Sequence, residues 1–169
     1  MVKGGFLMDK LERITDIALP VVGGSIVGLL STKNAKKDYQ DFKQPAFSPP
    51  KEAFGIVWPI LYTTMGIART ITKSSRKDSS KNAYLYNSQL GLNYLWSILY
   101  FRFKLRGTAL IESYALFASV LLTTVAFYKT NKFAGLLLVP YVVWTAYATY
   151  LNAGFVALNH DKEEYAEDI

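Results

Sequence analysis

The residues of this chain best suited to chemistry are tryptophans and carboxamides repeated at helical spacing. Gln89, Asn93, Trp96 and Tyr100 stand at i, i+4, i+7 and i+11, one stripe of a helix. Phe54, Trp58, Tyr62 and Met65 form a second stripe, and Tyr141, Trp144, Ala148 and Leu151 a third, with Asn152 beside it. Indole and phenol rings hold flat apolar molecules while carboxamides orient them, so the pattern points to binding. Catalytic groups are scarce. The sole histidine, His160, lies at the polar carboxyl end, there is no cysteine, and Glu112 is the one carboxylate well inside the last four apolar segments. No nucleophile and base pair is visible, and neither thiolate nor histidine is available inside for metal or axial haem ligation. The expectation is no conventional catalytic residue, no metal site and no required cofactor.

Such stripes need helices to carry them, and the charge pattern puts those helices in a membrane. Residues 133–159 contain no charge, and at helical rise they cover roughly 40 Å, more than the ~30 Å hydrocarbon core. Segments 53–68 and 82–101 also lack charges, 14–32 carries only Asp16, and 107–128 only Glu112. Pro49 and Pro50 can start the second helix a turn early, with Lys51, Glu52 and Arg69 reaching toward headgroups. The chain is therefore expected to be an all-α integral membrane protein: one domain over 1–169, a bundle of five transmembrane helices near 14–32, 49–71, 82–101, 107–128 and 133–159. Trp144 falls well inside the last span, too deep for an interfacial belt, so it must face protein or a cavity. Buried amides have no place against lipid, and their stripes should turn inward.

Trp58 near the start of the second span and Trp96 near the end of the third share an end of the bundle with the 31–52 connection. That connection holds Tyr39, Phe42, Pro45, Phe47, Pro49 and Pro50, a composition that suits a stiff capping loop between helices 1 and 2. The lid is expected to use Pro45, Phe47, Pro49 and Pro50. The alternative is a filled core in which the stripes simply pack together and the amides bridge helices.

Charge carries less information. The chain has 19 Lys and Arg against 13 Asp and Glu, a net charge of +6. The basic residues are spread over every connection, ten on one side and nine on the other, as juxtamembrane lysines are; no nucleic-acid partner is expected, and no orientation follows. The first span has no clear cleavage site and reads as retained, with Gly23, Gly24 and Gly28 suited to helix packing. Gly24 with Gly28, or Asn87 with Gly91, offers a flat patch for an internal contact or for a homodimer.

With these motifs in order, the chain resembles the translocator protein family, also called tryptophan-rich sensory proteins or peripheral-type benzodiazepine receptors. The resemblance rests on 39–50 (YQDFKQPAFSPP) with 54–62 (FGIVWPILY), 90–97 (LGLNYLWS), 109–112 (ALIE), and 140–144 (PYVVW) with 148–152 (ATYLN). It implies a five-helix bundle, usually dimeric, binding porphyrins and isoquinoline or benzodiazepine ligands beneath the first loop. Trp58, Asn93, Trp96, Trp144, Ala148 and Leu151 would line that pocket, joined by Tyr62 from its stripe, while Lys43, Lys51 or Arg102 could meet porphyrin carboxylates at the mouth. Relatives in bacteria are associated with light-dependent porphyrin breakdown, for which Trp58 and Trp144 would be the redox-active indoles. Two departures stand out. Phe47 occupies a loop position where the family usually has tryptophan, which should keep an aromatic plug. The end of helix five lacks the tyrosine and base of the proposed sterol motif, so sterol binding is not expected there. A bacterial cytoplasmic membrane is the favoured location, and a mitochondrial outer membrane also fits.

Overall fold

A computed structural model describes residues 3–32 and 41–161, and within them five helices and no strand. They are α1 (Lys3–Ser31), α2 (Glu52–Lys73), α3 (Ser80–Ser97), α4 (Arg106–Thr130) and α5 (Lys132–Leu158). Around the bundle α1 packs on α2, α2 on α5, α5 on α4, α4 on α3, and α3 returns to α1. The all-α integral membrane bundle is the observed architecture. Tyr39, expected in the cap, lies outside the described residues.

Among the described residues three segments are long and apolar enough to cross a bilayer on their own, Arg13–Ser31, Arg106–Thr130 and Lys132–Leu158. The other two helices are more polar because their inner faces carry the bundle's hydrogen bonds. On α3, Asn82, Gln89 and Asn93 are all buried, while Tyr84 and Leu95 face outward. Outward positions of the remaining helices are likewise apolar: Leu29, Ile56, Ile111, Leu122 and Val143 are exposed. This is the distribution a lipid solvent demands, with polar groups turned inside.

Helix ends differ from the expected spans in ways the chain explains. Helix α1 is described from Lys3, ahead of the apolar run, and continues through Asp16 and Pro20 to Ser31. Helix α2 begins at Glu52, not at the prolines; Pro50 precedes it, and its carbonyl accepts from Ala53 N at 2.9 Å. The third span is not one regular helix. After Ser97 the backbone widens into a π-helical turn, Ile98–Arg102, in which Phe103 N donates to Ile98 O five residues back at 3.0 Å. Such turns are local insertions that re-aim side chains and recur at functional sites. Between α4 and α5, Asn131 caps the new helix by accepting from Phe133 N and Ala134 N at 3.0 and 3.2 Å.

The end away from the capping loop is closed by a buried polar cluster. Arg69 Nη1 lies 3.3 Å from both Asp78 oxygens. Asn82 Nδ2 donates to Asp78 Oδ1 and to Thr130 Oγ1, each at 2.9 Å, tying the α2–α3 turn to the end of α4. Nearer the middle, Gly24 of α1 lies against the Tyr62 ring with no room for a side chain, so this glycine is used inside the molecule.

Candidate functional site

The centre of the bundle is organised by one amide. Asn93 is fully buried; its Oδ1 accepts from Tyr62 Oη at 2.6 Å and its Nδ2 donates to Tyr141 Oη at 3.1 Å, joining α3 to α2 and α5. Above this lattice stands an aromatic cluster built from α2 and α5. Trp58 stacks on Tyr62 (5.5 Å, 28°) and meets Trp144 edge to face (6.3 Å, 89°) and Tyr141 likewise (6.4 Å, 72°). Phe54 and Tyr147 close on Trp144 from two further sides, both at 5.7 Å. The indoles of separate helices therefore meet in one place, as an inward reading of the stripes requires.

Trp96 is fixed by the π-helical turn. Widening the backbone puts two consecutive aromatics on it, Tyr100 stacked at 5.2 Å and Phe101 edge-on at 5.7 Å. Its Nε1 and that of Trp144 are buried without a hydrogen-bond partner among the described residues.

Between these rings the open space is small. A cavity of about 10 Å³ lies where Trp58 and Trp96 face Ser113 and Leu116 of α4 and Thr145, Ala148 and Thr149 of α5. That is room for about one water molecule. The expected open slot is thus nearly closed by its own walls. Of the seven residues expected to line it, Trp58, Trp96 and Ala148 do. Tyr62 and Asn93 belong to the hydrogen-bonded lattice and Trp144 to the aromatic cluster. Leu151 goes elsewhere: with Phe155 it forms a separate apolar cluster against Phe42, Phe54 and Tyr147, under the lid.

The lid itself is strapped to α5. Asn159, fully buried, accepts from Lys43 N at 2.8 Å and donates to Lys43 O at 3.0 Å. Tyr147 Oη donates to Phe47 O at 2.5 Å and Tyr150 Oη to Ala46 O at 3.0 Å. Pro45 is buried on Gly154, where an added Cβ would come within 2.7 Å of the proline ring. Pro49 is half-buried and Pro50 exposed at the entry to α2. The aromatic-plug expectation is overturned: Phe47 is 88% exposed and holds a left-handed φ of 61°. The tight turn closed by Ser48 Oγ donating to Pro45 O at 2.8 Å presents the Phe47 carbonyl to Tyr147 and throws its ring outward.

The cations also sort differently from expectation. Lys43 and Arg102 are exposed, Lys43 with its Nζ 3.9 Å from Asp161 Oδ2, and Lys51 is half-buried, whereas Arg106 is 1% exposed, with its guanidinium 4.3 Å above the Phe42 ring and 5.4 Å from that of Tyr100. Sequence reasoning missed Arg106, Asn159 and the α4 wall. Thr145 and Thr149 were legible in principle, because 141, 145, 149 and 152 continue one helical stripe from Tyr141.

Comparison with known proteins agrees with this architecture. The model of the TspO/MBR family matches residues 17–158. A tryptophan-rich protein TspO of Archaeoglobus fulgidus is 33% identical over 153 residues, covering 90% of this chain and 99% of that protein. A translocator protein homolog of Schizosaccharomyces pombe is 35% identical, covering 83% of this chain and 88% of its own length. The human translocator protein is 32% identical over 118 residues, 68% of this chain and 70% of that protein.

Proposed function

The chain belongs to the TspO/MBR family, and from that premise we propose that it is a membrane receptor or carrier for tetrapyrroles of the protoporphyrin type and related aromatic amphiphiles. The observation that carries the reading is the meeting of Trp58 and Trp144 from separate helices under a strapped lid. Isoquinoline- or benzodiazepine-like molecules share the flat apolar shape these rings suit. Ligand sites for molecules of this size occupy about 300–1,000 Å³, against about 10 Å³ here, so binding requires the lid and the facing walls of α2, α4 and α5 to part. Lys43, Lys51 and Arg102 at the mouth would then pair with propionates.

Quenching of tryptophan fluorescence on titration with protoporphyrin tests the reading. Saturable binding is expected, weakened about tenfold by Trp144→Ala, the size of an aromatic-pair loss near 1.4 kcal/mol. Unchanged affinity in that variant refutes the site.

The near-closed interior favours a second reading, a structural or assembly protein whose core stays packed. Absence of any protoporphyrin binding to the wild-type protein would select it. Under either reading a homodimer through α3 is the assembly we favour. Gly91 has open space around it and Asn87 is exposed on the same face, whereas Gly24 already packs on Tyr62. A bacterial cytoplasmic membrane remains our preferred location.

A further inference from the structure

Three polar side chains on three helices are buried with no hydrogen-bond partner among the described residues. They are both carboxylate oxygens of Glu112 on α4, both amide atoms of Asn152 on α5, and Nε1 of Trp96 on α3. Glu112 and Trp96 are 8% exposed and Asn152 2%. Helix register brings them together. Thr149 Oγ1 donates to Ser113 O at 3.3 Å, and both residues line the small cavity with Trp96. Glu112 is the neighbour of Ser113 along α4, and Asn152 lies one turn beyond Thr149 toward the lid.

A carboxylate in so dry a place is stable as an ion only against a cation or several N–H donors, and within transmembrane segments such groups mark ligand sites. Arg106, the basic residue earlier on α4, stacks over Phe42 and Tyr100. The cavity walls include Trp58 and Trp96, whose ring faces attract cations, and Leu116 and Ala148, which suit hydrocarbon.

We propose that Glu112, Asn152 and Trp96 form a recognition set for a protonated aromatic amine. The cationic N–H groups, on a protonated ring nitrogen or an exocyclic amine, donate to the Glu112 carboxylate and to Asn152 Oδ1, the ring lies between the indoles, and Trp96 Nε1 serves an acceptor where the ligand has one. The inference rests on the interior opening to aromatic amphiphiles, as in the reading above, and adds the charge that the interior selects.

The test compares 9-aminoacridine, a cation at neutral pH, with acridine, its uncharged counterpart, by tryptophan quenching of the full chain in zwitterionic nanodiscs. The wild-type protein should prefer the cation by about tenfold or more, falling to about twofold in Glu112→Gln and returning in Glu112→Asp. Equal wild-type affinities overturn the proposal without any variant, and so does a preference that survives Glu112→Gln. If that variant fails to fold, Asn152→Leu replaces it, with the preference expected to drop about threefold and an undiminished preference counting against the set. Protoporphyrin titrated in parallel separates the two claims. Protoporphyrin binding without amine preference removes only this inference, while no binding of any of the three compounds removes the receptor reading as well.

Discussion

Asn159 pairs with the peptide of Lys43 through both of its amide atoms, as one strand pairs with the next, although 116 residues separate the two in the chain. This contact, the two tyrosine hydroxyls and the Pro45–Gly154 packing tie the described part of the lid to α5 and its carboxyl end, and Phe42 over Arg106 ties it to α4.

Breaking the pair should loosen the lid without unfolding the bundle. In Asn159→Ala, amide exchange at Lys43 should accelerate about fivefold, since the lost bond to its N–H is worth about 1 kcal/mol, while exchange along α4 stays as it was. Hydrogen exchange followed by mass spectrometry reads both regions, and uniform acceleration would mean that Asn159 holds the whole fold.

Asn93 presents a different balance. Asn93→Leu leaves the hydroxyls of Tyr62 and Tyr141 facing apolar surroundings, and a loss of about 1–3 kcal/mol is expected. Removing those hydroxyls too, in Tyr62→Phe/Asn93→Leu/Tyr141→Phe, should recover much of it. Thermal unfolding in one detergent compares the two variants, and a triple variant weaker than the single would show that the lattice is not limited by stranded hydroxyls.

At the opposite end, Arg69→Ala removes one partner of a largely buried ion pair and leaves Asp78 with Asn82 but without its cation. A destabilisation of about 3–5 kcal/mol is expected, the largest among these variants. Asp78→Asn should cost less, because it can still accept from Asn82. Unfolding midpoints that reverse this order would show that solvent reaches the cluster.

Phe47 separates a plug from a hinge. With its ring turned outward, Phe47→Ala should leave protoporphyrin affinity within about twofold, and Phe47→Gly should stabilise the protein by up to about 1 kcal/mol by relieving the left-handed backbone. A tenfold loss of affinity in Phe47→Ala would restore the plug.

The helices and their inward faces were legible because lipid leaves few alternatives: uncharged runs must span, and Asn93 and Gln89 must point in. Periodicity put Trp58, Trp96 and Ala148 on inward stripes, while their place in a pocket was what the family resemblance implied. What periodicity could not give was the partner wall. Ser113 and Leu116 sit on a helix whose apolar residues run all round it, so no stripe singled out their face. Leu151 shares a stripe with Trp144, yet a single turn of α5 carries it past the cavity edge to the lid seam. The direction of Phe47 depends on one backbone torsion, set by the turn that Ser48 closes on Pro45, and composition says nothing of it. Buried Arg106 was hidden for a similar reason, since its depth comes from Phe42 folding back over it from the lid.

The two ends of the bundle differ in kind. One is bolted by Arg69, Asp78, Asn82 and Thr130, the other strapped by a few bonds to a short loop. If the proposed ligand enters by the strapped end it must also leave by it, and the interior would then sample a single leaflet and its adjoining compartment. Which compartment that is would depend solely on the direction in which the chain was inserted, and reversing the insertion would exchange the pool open to it without altering one contact inside.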